Sequence, residues 1–508
     1  MLSIRKGHFK NGSDRDVLSE ALCRPVSLDP FSGRFLTWIS AFAEMTLLAV
    51  VVACVTELAV AATVFASDAD WKSIEREAVA LLSRYIQIDT TNPPGNEIKA
   101  AEFFKEIFDR EGIESNIIES APQRGNILAR LKGNGSKPAI VLLNHMDVVP
   151  ADAKLWKEPP FGGDVKDGTL WGRGSLDMKG PAIVQLMAFL TLKRLNAPLK
   201  SDIIFVGTAD EEAGGALGAG FLVEKHPELF QGVGLVLTEG GGIRLGEDGR
   251  ARFYSVGVAE KTPLWLKLTA KGAPGHGSTP GNDAAVNKLV AALNRILDYQ
   301  APIKVVPAVQ KFYAETARFE AADRRKQYED LRLALKDPVF AAEFTKEPRN
   351  NASVRNTIAI TGIRGSDKVN VIPAVASAEI DVRLLPGEDP KAFVDQIRNV
   401  IRDDSIAVDV TLSFPPATSR EHVEALRVIR QMANVQDGGA PVISPLGRGF
   451  TDCHFFREKG IPCYGFIPLR TSAGGEGLVH GVNERISLES LFSALRSMYG
   501  MVAALGLE

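Results

Sequence analysis

From Asp70 onward, short apolar runs alternate with stretches in which apolar residues recur at helical spacing. Nearly continuous apolar runs are typical of strands buried on both faces of a parallel sheet. Three such strands are expected: Ala139–Asn144, Ile203–Thr208 and Val233–Leu237. Helices are predicted over Trp71–Tyr85, over Glu97–Arg110 and from Pro181 onward. The alternation predicts an α/β fold with a largely parallel sheet between layers of helices.

The pattern changes near Thr262, where the elements follow the order βαββαβ of a ferredoxin-like α+β domain. The expected elements are strand 264–270, helix 284–297, strands 357–361 and 376–384, helix 390–401 and strand 407–413. A charged insert at about 303–351 precedes the second strand, and its alternating charges predict a solvated helical surface. We therefore expect a first domain in two parts, 67–261 and 415–508, with a second domain, 262–414, inserted between them.

Residues 1–66 are interpreted as a leader. They contain an apolar segment, Met45–Phe65, followed by Ala66 and a polar stretch. Small residues at this point predict signal peptidase cleavage after Ala66, and hence a periplasmic or secreted protein. The alternative is an uncleaved membrane anchor, since about 20 apolar residues can span a bilayer. Residues 1–44 resemble a translated genomic repeat, so we expect the true start at Met45.

Composition narrows the possible partners. The chain has 508 residues, enough for two or three domains, and its hydrophobic fraction of 45% is that of an ordinary globular protein. A net charge of −3 provides no general basic surface, so no nucleic-acid partner is expected. None of the four cysteines has CxxC spacing, which excludes a zinc ribbon. Cys453 and Cys463 are expected to be free buried thiols, with a disulfide in an oxidising compartment as the alternative.

Acidic residues and histidines follow the predicted strands, and ligands of open α/β sheets bind beyond the carboxyl ends of strands. Five potential metal ligands converge there: His145, Asp177, Glu212, Glu239 and His480. Imidazole and carboxylate ligands without thiolate suit zinc, with cobalt or manganese as alternatives. Two cations within about 4 Å need a shared anion, which one bridging aspartate can supply.

Two further acidic residues complete this chemistry. Glu211 and Glu212 are adjacent, so their side chains point in different directions, and one can bind a metal while the other acts as a general base. Asp147, two residues after His145, can accept the second ring N–H of that histidine. Isolated histidines such as His226 and His422 are interpreted as structural or surface residues.

The ordered motifs LLNHMDVVP, WGRGSLDMKG, GTADEEAGG, LTEGG, GHGSTP, NVIPA and GLVHGVNERI resemble a known family over about residues 70–508. It is the dimetal metallopeptidase family of aminoacylase-1, carboxypeptidase G, acetylornithine deacetylase and succinyl-diaminopimelate desuccinylase. The helical insert and the length are closest to its carboxypeptidase S branch. The resemblance implies a zinc-peptidase-like α/β/α sandwich with an inserted ferredoxin-like lid or dimerisation domain.

The resemblance also implies individual roles. His145 and Glu239 would bind the first metal and Glu212 and His480 the second, with Asp177 bridging both. Glu211 would be the general base, Asp147 would orient His145, and the peptide bond between Asp177 and Met178 would be cis. From the lid, His276 would stabilise the oxyanion, often in the active site of a partner subunit, and Asn370 would help to hold the substrate.

One position departs from the family pattern. Where the family usually has an arginine that grips a substrate carboxylate, this chain has His454, in Thr451-Asp452-Cys453-His454. Histidine cannot make the bidentate contact of arginine, so Arg448 or Arg457 is the expected substitute.

The sequence thus predicts a hydrolase that uses two divalent ions to cleave amide bonds of small peptides or N-acyl amino acids. Zinc is the expected metal. A homodimer formed through the lid is expected, and membrane contact only through an uncleaved leader. The alternatives are a non-catalytic metal-binding protein with the same fold and a hydrolase of another bond class.

Overall fold

The computed structural model describes residues 69–472 and 479–507. The predicted leader, with Met45 and the cleavage position after Ala66, lies outside these residues. Helices in the first stretch are α1 (Trp71–Ile86), α2 (Ile98–Arg110), α3 (Lys179–Arg194) and α4 (Ala219–Lys225). Its strands are β1 (Ser115–Ala121), β2 (Arg124–Leu131), β3 (Ala139–His145), β4 (Val165–Lys166), β5 (Thr169–Trp171), β6 (Ile203–Thr208), β7 (Val233–Thr238), β8 (Gly242–Leu245), β9 (Ala251–Ser255) and β10 (Ala259–Glu260).

The second domain has a four-stranded antiparallel sheet with the order β13-β15-β11-β16. Its strands are β11 (Thr262–Lys271), β12 (Gly275–His276), β13 (Thr357–Arg364), β14 (Val371–Ile372), β15 (Val375–Leu384) and β16 (Ile406–Ser413). Helices α5 (Ala285–Asp298) and, later in the chain, Pro390–Ile401 bury their apolar faces against this sheet. This is the predicted βαββαβ order, and we call this domain the lid.

The insert between α5 and β13 contains five helices. They are α6 (Pro307–Thr316), α7 (Ala322–Glu329), α8 (Leu331–Ala334), α9 (Pro338–Lys346) and α10 (Pro348–Ser353), so the lid helix Pro390–Ile401 is α11. Charged residues of the insert are mostly exposed, as predicted, but its apolar residues form a core of their own. Tyr313, Tyr328 and Phe344 pack edge to face in that core, and Leu446 of the following stretch joins it. The insert is therefore a packed subdomain.

The last stretch returns to the first sheet. Its elements are α12 (Val423–Asp437), β17 (Val442–Ile443), β18 (Leu446–Gly447), α13 (Cys453–Glu458), β19 (Cys463–Gly465), β20 (Arg470–Thr471), β21 (Arg485–Ser487) and α14 (Leu488–Leu507). The first sheet has the order β1-β2-β6-β3-β7-β19, and β6, β3, β7 and β19 run parallel. We call the body built around this sheet the catalytic domain.

Helices cover both faces of the six-stranded sheet, which confirms the expected α/β/α sandwich. On one face, α1, α2, α3, α12 and α14 share a large apolar core, and on the other α4 and α13 pack against the same strands. Helix α14 is long and apolar enough to cross a bilayer, but 78% of its most apolar window is buried in the protein. That burial makes α14 a core helix.

The lid and the catalytic domain meet at a cluster of aromatic rings. Phe414, just after β16, stacks on His454 of α13 with ring centroids 3.7 Å apart, and it also contacts Phe450 and Phe455. His454 Nδ1 donates to the carbonyl oxygen of Thr451 at 2.8 Å, whereas its Nε2 is buried and has no hydrogen-bond partner in the described structure. The ring of His454 is therefore part of the packing between the two domains.

Cys453 and Cys463 form a disulfide, so the expectation of free thiols was wrong. Cys453 begins α13 and Cys463 begins β19, and the chain reverses between them. The reversal brings their Cα atoms within 5.3 Å of each other, which is inside the range that a disulfide spans. Spacing along the chain alone does not reveal this reversal.

The disulfide should contribute measurably to stability. Replacing Cys463 with alanine is expected to lower the free energy of unfolding by about 2–4 kcal/mol, because the unfolded chain loses a crosslink that closes a short loop. Urea unfolding of the oxidised wild type and of Cys463→Ala measures this difference. Reducing agent should destabilise the wild type and leave the variant unchanged; equal stability of the oxidised proteins would contradict the prediction.

His454 should make stability depend on pH. Burial lowers its pKa to about 4, so the unfolded chain takes up a proton first as the pH falls. The contribution of neutral His454 to the free energy of unfolding is fully present above about pH 6.5 and is lost as the pH falls toward 4, with a total on the order of 3 kcal/mol. His454→Phe should lack this part of the pH dependence in urea unfolding series, whereas His226→Gln, at a partly exposed position, should retain it.

Candidate active site

The last residues of the parallel strands lie at one edge of the sheet. His145 is the final residue of β3 and lies opposite Thr208, the final residue of β6. Glu211 and Glu212 follow β6 in a turn of 3-10 helix, and Glu239 follows β7 directly. These positions bring the predicted strand-end residues together, as the sequence suggested.

Asp177 and His480 come from loops that are held by a buried ion pair. The peptide bond between Asp177 and Met178 is cis, and the backbone N–H groups of Leu176 and Asp177 donate to Glu484 Oε1 at 2.7 and 3.1 Å. Glu484 also pairs with Arg173, at 2.5 Å, and Arg173 Nη2 donates to the carbonyl oxygen of Gly481. The pair ties the loop of Asp177 to the loop of His480, although the two are about 300 positions apart in the sequence.

The two carboxylate oxygens of Asp177 face two separate groups of ligands. Oδ1 lies 3.0 Å from His145 Nε2, which in turn lies 3.3 Å from Glu239 Oε1. Oδ2 lies 3.1 Å from His480 Nε2, which lies 3.1 Å from Glu212 Oε2. Asp177 thus joins a His145–Glu239 group to a His480–Glu212 group.

This arrangement fits a pair of divalent cations. Burial and the charge of Asp177 raise the pKa of Glu239 to about 8 and also raise the pKa of Glu212. Such crowding of acids without cations is unfavourable, and positive charge would relieve it. In addition, Glu212 Oε1 is buried and has no hydrogen-bond partner in the described structure. Imidazole nitrogens and carboxylate oxygens at these separations suit a two-metal centre.

Glu211 lies beside this centre and is positioned by Asp147. One oxygen of Glu211 lies within 4.8 Å of ligand atoms of His145 and Glu239. Asp147 accepts the backbone N–H groups of Glu211 and Glu212, each at 3.1 Å. His145 Nδ1 donates mainly to the backbone carbonyl of Asp147, at 3.0 Å, and lies 3.4 Å from its carboxylate. Asp147 therefore positions both the imidazole of His145 and the acidic turn. Its role in the acidic turn was not suggested by the sequence.

A second buried network supports the same turn and was not identified from the sequence. Arg124 makes two 2.7 Å contacts with Glu97 and one of 2.9 Å with Asp210, the residue before Glu211. Asn92 donates to Asp147 at 2.8 Å. The only local signal was the turn sequence Asn92-Pro93-Pro94-Gly95 before α2, because burial of the charges depends on distant segments.

A cavity of about 710 Å³ opens from the two ligand groups and is lined by all three parts of the protein. The catalytic domain contributes Phe253, Glu260, Arg448, Ile467 and Leu469, the lid contributes Trp265 and Arg383, and the insert contributes Val309, Phe312, Tyr313, Arg349 and Asn350. Of the residues predicted to bind substrate, Arg448 lines this cavity. The involvement of the insert was not predicted.

His454 and Arg457 do not line the cavity, so the structure gives no support to a direct contact of either with substrate. His454 packs against Phe414, as described above. Arg457 is buried, and its guanidinium pairs with Glu260 at 2.9 Å and donates to the carbonyl oxygens of Gly257 and Cys463. Both side chains are used inside the protein.

His276 and Asn370 also lie outside the cavity lining. They belong to an exposed pair of short antiparallel strands of the lid, in which β12 pairs with β14 and Gly277 N–H donates to the carbonyl oxygen of Asn370 at 2.9 Å. The structure brings these two residues to each other but does not bring them to the two ligand groups of the same chain.

Comparison with known proteins agrees with this geometry. Residues 141–504 match peptidase family M20/M25/M40. The N-fatty-acyl-amino acid synthase/hydrolase PM20D1 of Xenopus tropicalis is 32% identical over 362 residues, which cover 69% of each chain. Aminoacylase-1B of Rattus norvegicus is 27% identical over 445 residues, covering 85% of this chain and 96% of the relative.

The fold is shared with a solved structure as well. The M20 family metallo-carboxypeptidase Sso-CP2 of Sulfolobus solfataricus superposes with a TM-score of 0.65 at 19% identity, covering 84% of this chain and 98% of that one. These matches confirm the resemblance inferred from the motifs. The chain belongs to peptidase family M20/M25/M40.

Proposed function

We propose that the protein is a zinc-dependent hydrolase that removes the acyl group from N-acyl amino acids. The observation that carries the proposal is Asp177, whose two oxygens face the His145–Glu239 group and the His480–Glu212 group. Family membership supports amide hydrolysis, and the aminoacylase and N-fatty-acyl-amino acid relatives support the substrate class.

Zinc is the proposed metal because the ligand set contains two histidines and three carboxylates and no thiolate. Cobalt and manganese remain alternatives with the same ligand chemistry. When bound, such a pair of cations polarises an amide carbonyl and makes a water molecule more acidic.

Glu211 is proposed to carry the proton. Its position beside His145 and Glu239 allows it to take a proton from the attacking water and later to give that proton to the leaving nitrogen. Burial raises the pKa of Glu211 well above its usual range; His145 opposes this shift, and Glu239 and Glu212 add to it. A neighbouring positive charge would bring the carboxylate back into a range suited to a base. Asp147 holds the backbone of Glu211 during these transfers.

Apolar residues of the cavity are proposed to hold the acyl group. Phe253, Phe312, Ile467 and Leu469 line it, and its volume of about 710 Å³ is larger than a small acyl group requires. The Xenopus relative is named for its action on N-fatty-acyl-amino acids, which supports a fatty acyl chain. Small peptides are the alternative substrates to include in an activity panel.

Export is proposed from the leader, with cleavage after Ala66 and membrane anchoring as the alternative. The disulfide between Cys453 and Cys463 supports this proposal, because such bonds persist in oxidising compartments.

Adjacent glutamates provide the main test of the mechanism. Glu211→Gln should still bind about two equivalents of zinc, and its kcat should fall by about 10²- to 10⁴-fold because the base is lost. Glu212→Gln is the matched control, and it should lose metal as well as activity. Metal content by elemental analysis and turnover of N-acyl amino acids and dipeptides provide both readouts. Near-normal turnover of Glu211→Gln would rule out the assigned base.

A homodimer is proposed in which His276 and Asn370 of one lid reach the active site of the second copy. Three exposed apolar residues in or next to strand β14, Val369, Val371 and Val375, support a protein contact there.

Complementation tests this arrangement. Glu211→Gln and His276→Asn should each be nearly inactive alone. Co-expressed in equal amounts, they should recover about a quarter of wild-type activity. Half of the dimers are then mixed, and one of the two sites in each mixed dimer has both residues. Coexpression of Glu211→Gln with a Glu211→Gln, His276→Asn double variant is the control and should recover none. Failure of the first pair to exceed its separate activities would mean that His276 acts within its own chain or not at all.

A further inference from the structure

Lys261 is a buried lysine at the junction of the catalytic domain, the lid and the insert. It lies between β10, the last strand before the lid, and β11, the first strand of the lid, and it is 1% exposed. Its backbone N–H donates to the carbonyl oxygen of Gly447 at 2.8 Å, next to the parallel pairing of β10 with β18. The backbone of Lys261 is therefore fixed to the catalytic domain.

The ammonium group of Lys261 is bonded to the end of the insert. Nζ donates to the carbonyl oxygens of Ala352 and Arg355, at 3.0 and 2.8 Å, and to the hydroxyl of Thr357 at 3.0 Å. Ala352 lies in the last turn of α10, where carbonyl groups lack partners within the helix and a cation is favourable. Thr357 is the first residue of β13. We call these three hydrogen bonds the Lys261 contact.

Stability of the fold alone does not explain a lysine at this position. The three acceptors are neutral groups, and burial, together with the charges of Arg383 and Arg448, lowers the pKa of Lys261 to about 7, against the effect of Asp381. An apolar side chain of similar length would avoid the cost of burying an ammonium group. An ammonium group has three N–H donors, however, and can join three separate backbone and side-chain groups at once.

The helix that the Lys261 contact holds forms part of the cavity wall. Asn350 and Ser353 of α10 line the cavity, as do Phe312 and Tyr313 of α6. The hydroxyl of Tyr313 donates to Asn350 Oδ1 at 2.6 Å, so α10 supports the face of α6 that the cavity exposes. The Lys261 contact is therefore linked to Phe312, one of the apolar residues proposed to hold the acyl group.

A second contact joins the insert to the catalytic domain on the α6 side. Phe319, just after α6, lies with its ring centroid 6.4 Å from that of Phe253, and the guanidinium of Arg252 lies 4.9 Å from the centroid of the Phe319 ring. Phe253 lines the cavity as well. The aromatic contact leaves the position of α10 to the Lys261 contact.

We infer that Lys261 is a positioning residue, which holds α10 against the strand that enters the lid and thereby fixes the insert's wall of the cavity. The inference rests on the proposed function for the identity of the ligand, and it adds which group controls affinity for the acyl part. The metal ligands and Glu211 belong to other segments. Loss of the Lys261 contact should therefore weaken binding of long acyl groups, whereas a short acyl group that does not reach Phe312 should bind as before.

Hydrogen exchange of the full-length protein tests the contact without any ligand. Lys261→Met keeps a side chain of similar length and removes the N–H donors. The amides of α10 and of residues 354–357 should then exchange about tenfold faster than in the wild type, because this segment opens more readily. Lys261→Arg should restore most of the protection, since guanidinium also supplies several donors. Thr357→Val removes one acceptor and should give a smaller increase.

Lys304→Met is the matched control. Lys304 precedes α6, its backbone N–H donates to the carbonyl oxygen of Val354 at 2.8 Å, and its exposed ammonium pairs with Glu388. This variant loses a lysine beside the same junction and should leave exchange of α10 unchanged. Unchanged exchange of α10 in Lys261→Met, or an equal increase over the whole protein, would overturn the Lys261 contact as a local device.

Binding tests the consequence for the cavity. In zinc-loaded full-length Glu211→Gln, calorimetric titration gives the Kd of N-dodecanoyl-leucine, and displacement titration gives that of N-acetyl-leucine. Adding Lys261→Met should raise the first Kd about tenfold, because several methylene groups lose contact with the wall, and the second less than about twofold. Lys261→Arg should bring the first Kd back toward its original value, and Lys304→Met should change neither.

Turnover gives an independent readout and separates this inference from the proposed function. With Glu211 present, Lys261→Met should raise KM for N-dodecanoyl-leucine and keep kcat within about twofold, since only binding is affected. Equal weakening of both ligands, or no weakening of the long one, would overturn the role of Lys261 in the cavity. Lysine-dependent binding of N-dodecanoyl-leucine by a protein that hydrolyses neither compound would support that role and count against the proposed hydrolysis.

Discussion

The site is governed by the mutual repulsion of carboxylates that are buried or half-buried. Asp177, Glu211, Glu212 and Glu239 meet at one sheet edge, where burial raises the pKa values of the three glutamates. Like charges in a poorly solvated environment are costly unless cations or hydrogen bonds offset them. The two histidines offset part of the charge, and a pair of divalent cations would offset the rest. Other features of the catalytic domain can be understood as ways of holding these groups in place despite their repulsion.

Two networks provide that support, and each joins segments far apart in the chain. The Arg173–Glu484 pair fixes the loops of Asp177 and His480, and Arg124 with Glu97 fixes the turn that presents Glu211 and Glu212. Buried ion pairs of this kind contribute less to net stability than their short distances suggest, because both partners lose hydration. Here they hold the ligand-bearing segments in position. Removing one partner would also leave an uncompensated charge beside the ligands.

The residues that line the cavity come from more parts of the chain than the residues proposed for the chemistry. All groups proposed for the chemistry within one chain come from the catalytic domain, whereas the cavity is completed by the lid and the insert. The insert has its own aromatic core, which holds Phe312 and Arg349 in position in the cavity lining. Separating the two tasks allows the cavity to change through the insert while the strand-end ligands stay fixed, as is common where loops and insertions surround a conserved scaffold.

The sequence by itself determined most of the elements, and its resemblance to a known family indicated the two ligand groups. Apolar runs and helical spacing are local signals, so Ile203–Thr208 and Pro390–Ile401 were predicted with the bounds that the structure has. Strand-end histidines and acids were also recognisable, because parallel strands end at one edge. Only tertiary structure decided that Cys453 bonds to Cys463, that His454 faces Phe414 and not the cavity, and that Arg124 supports the acidic turn. Each of these depends on which distant segments pack together, and pairing between distant segments leaves no periodic signal in one sequence.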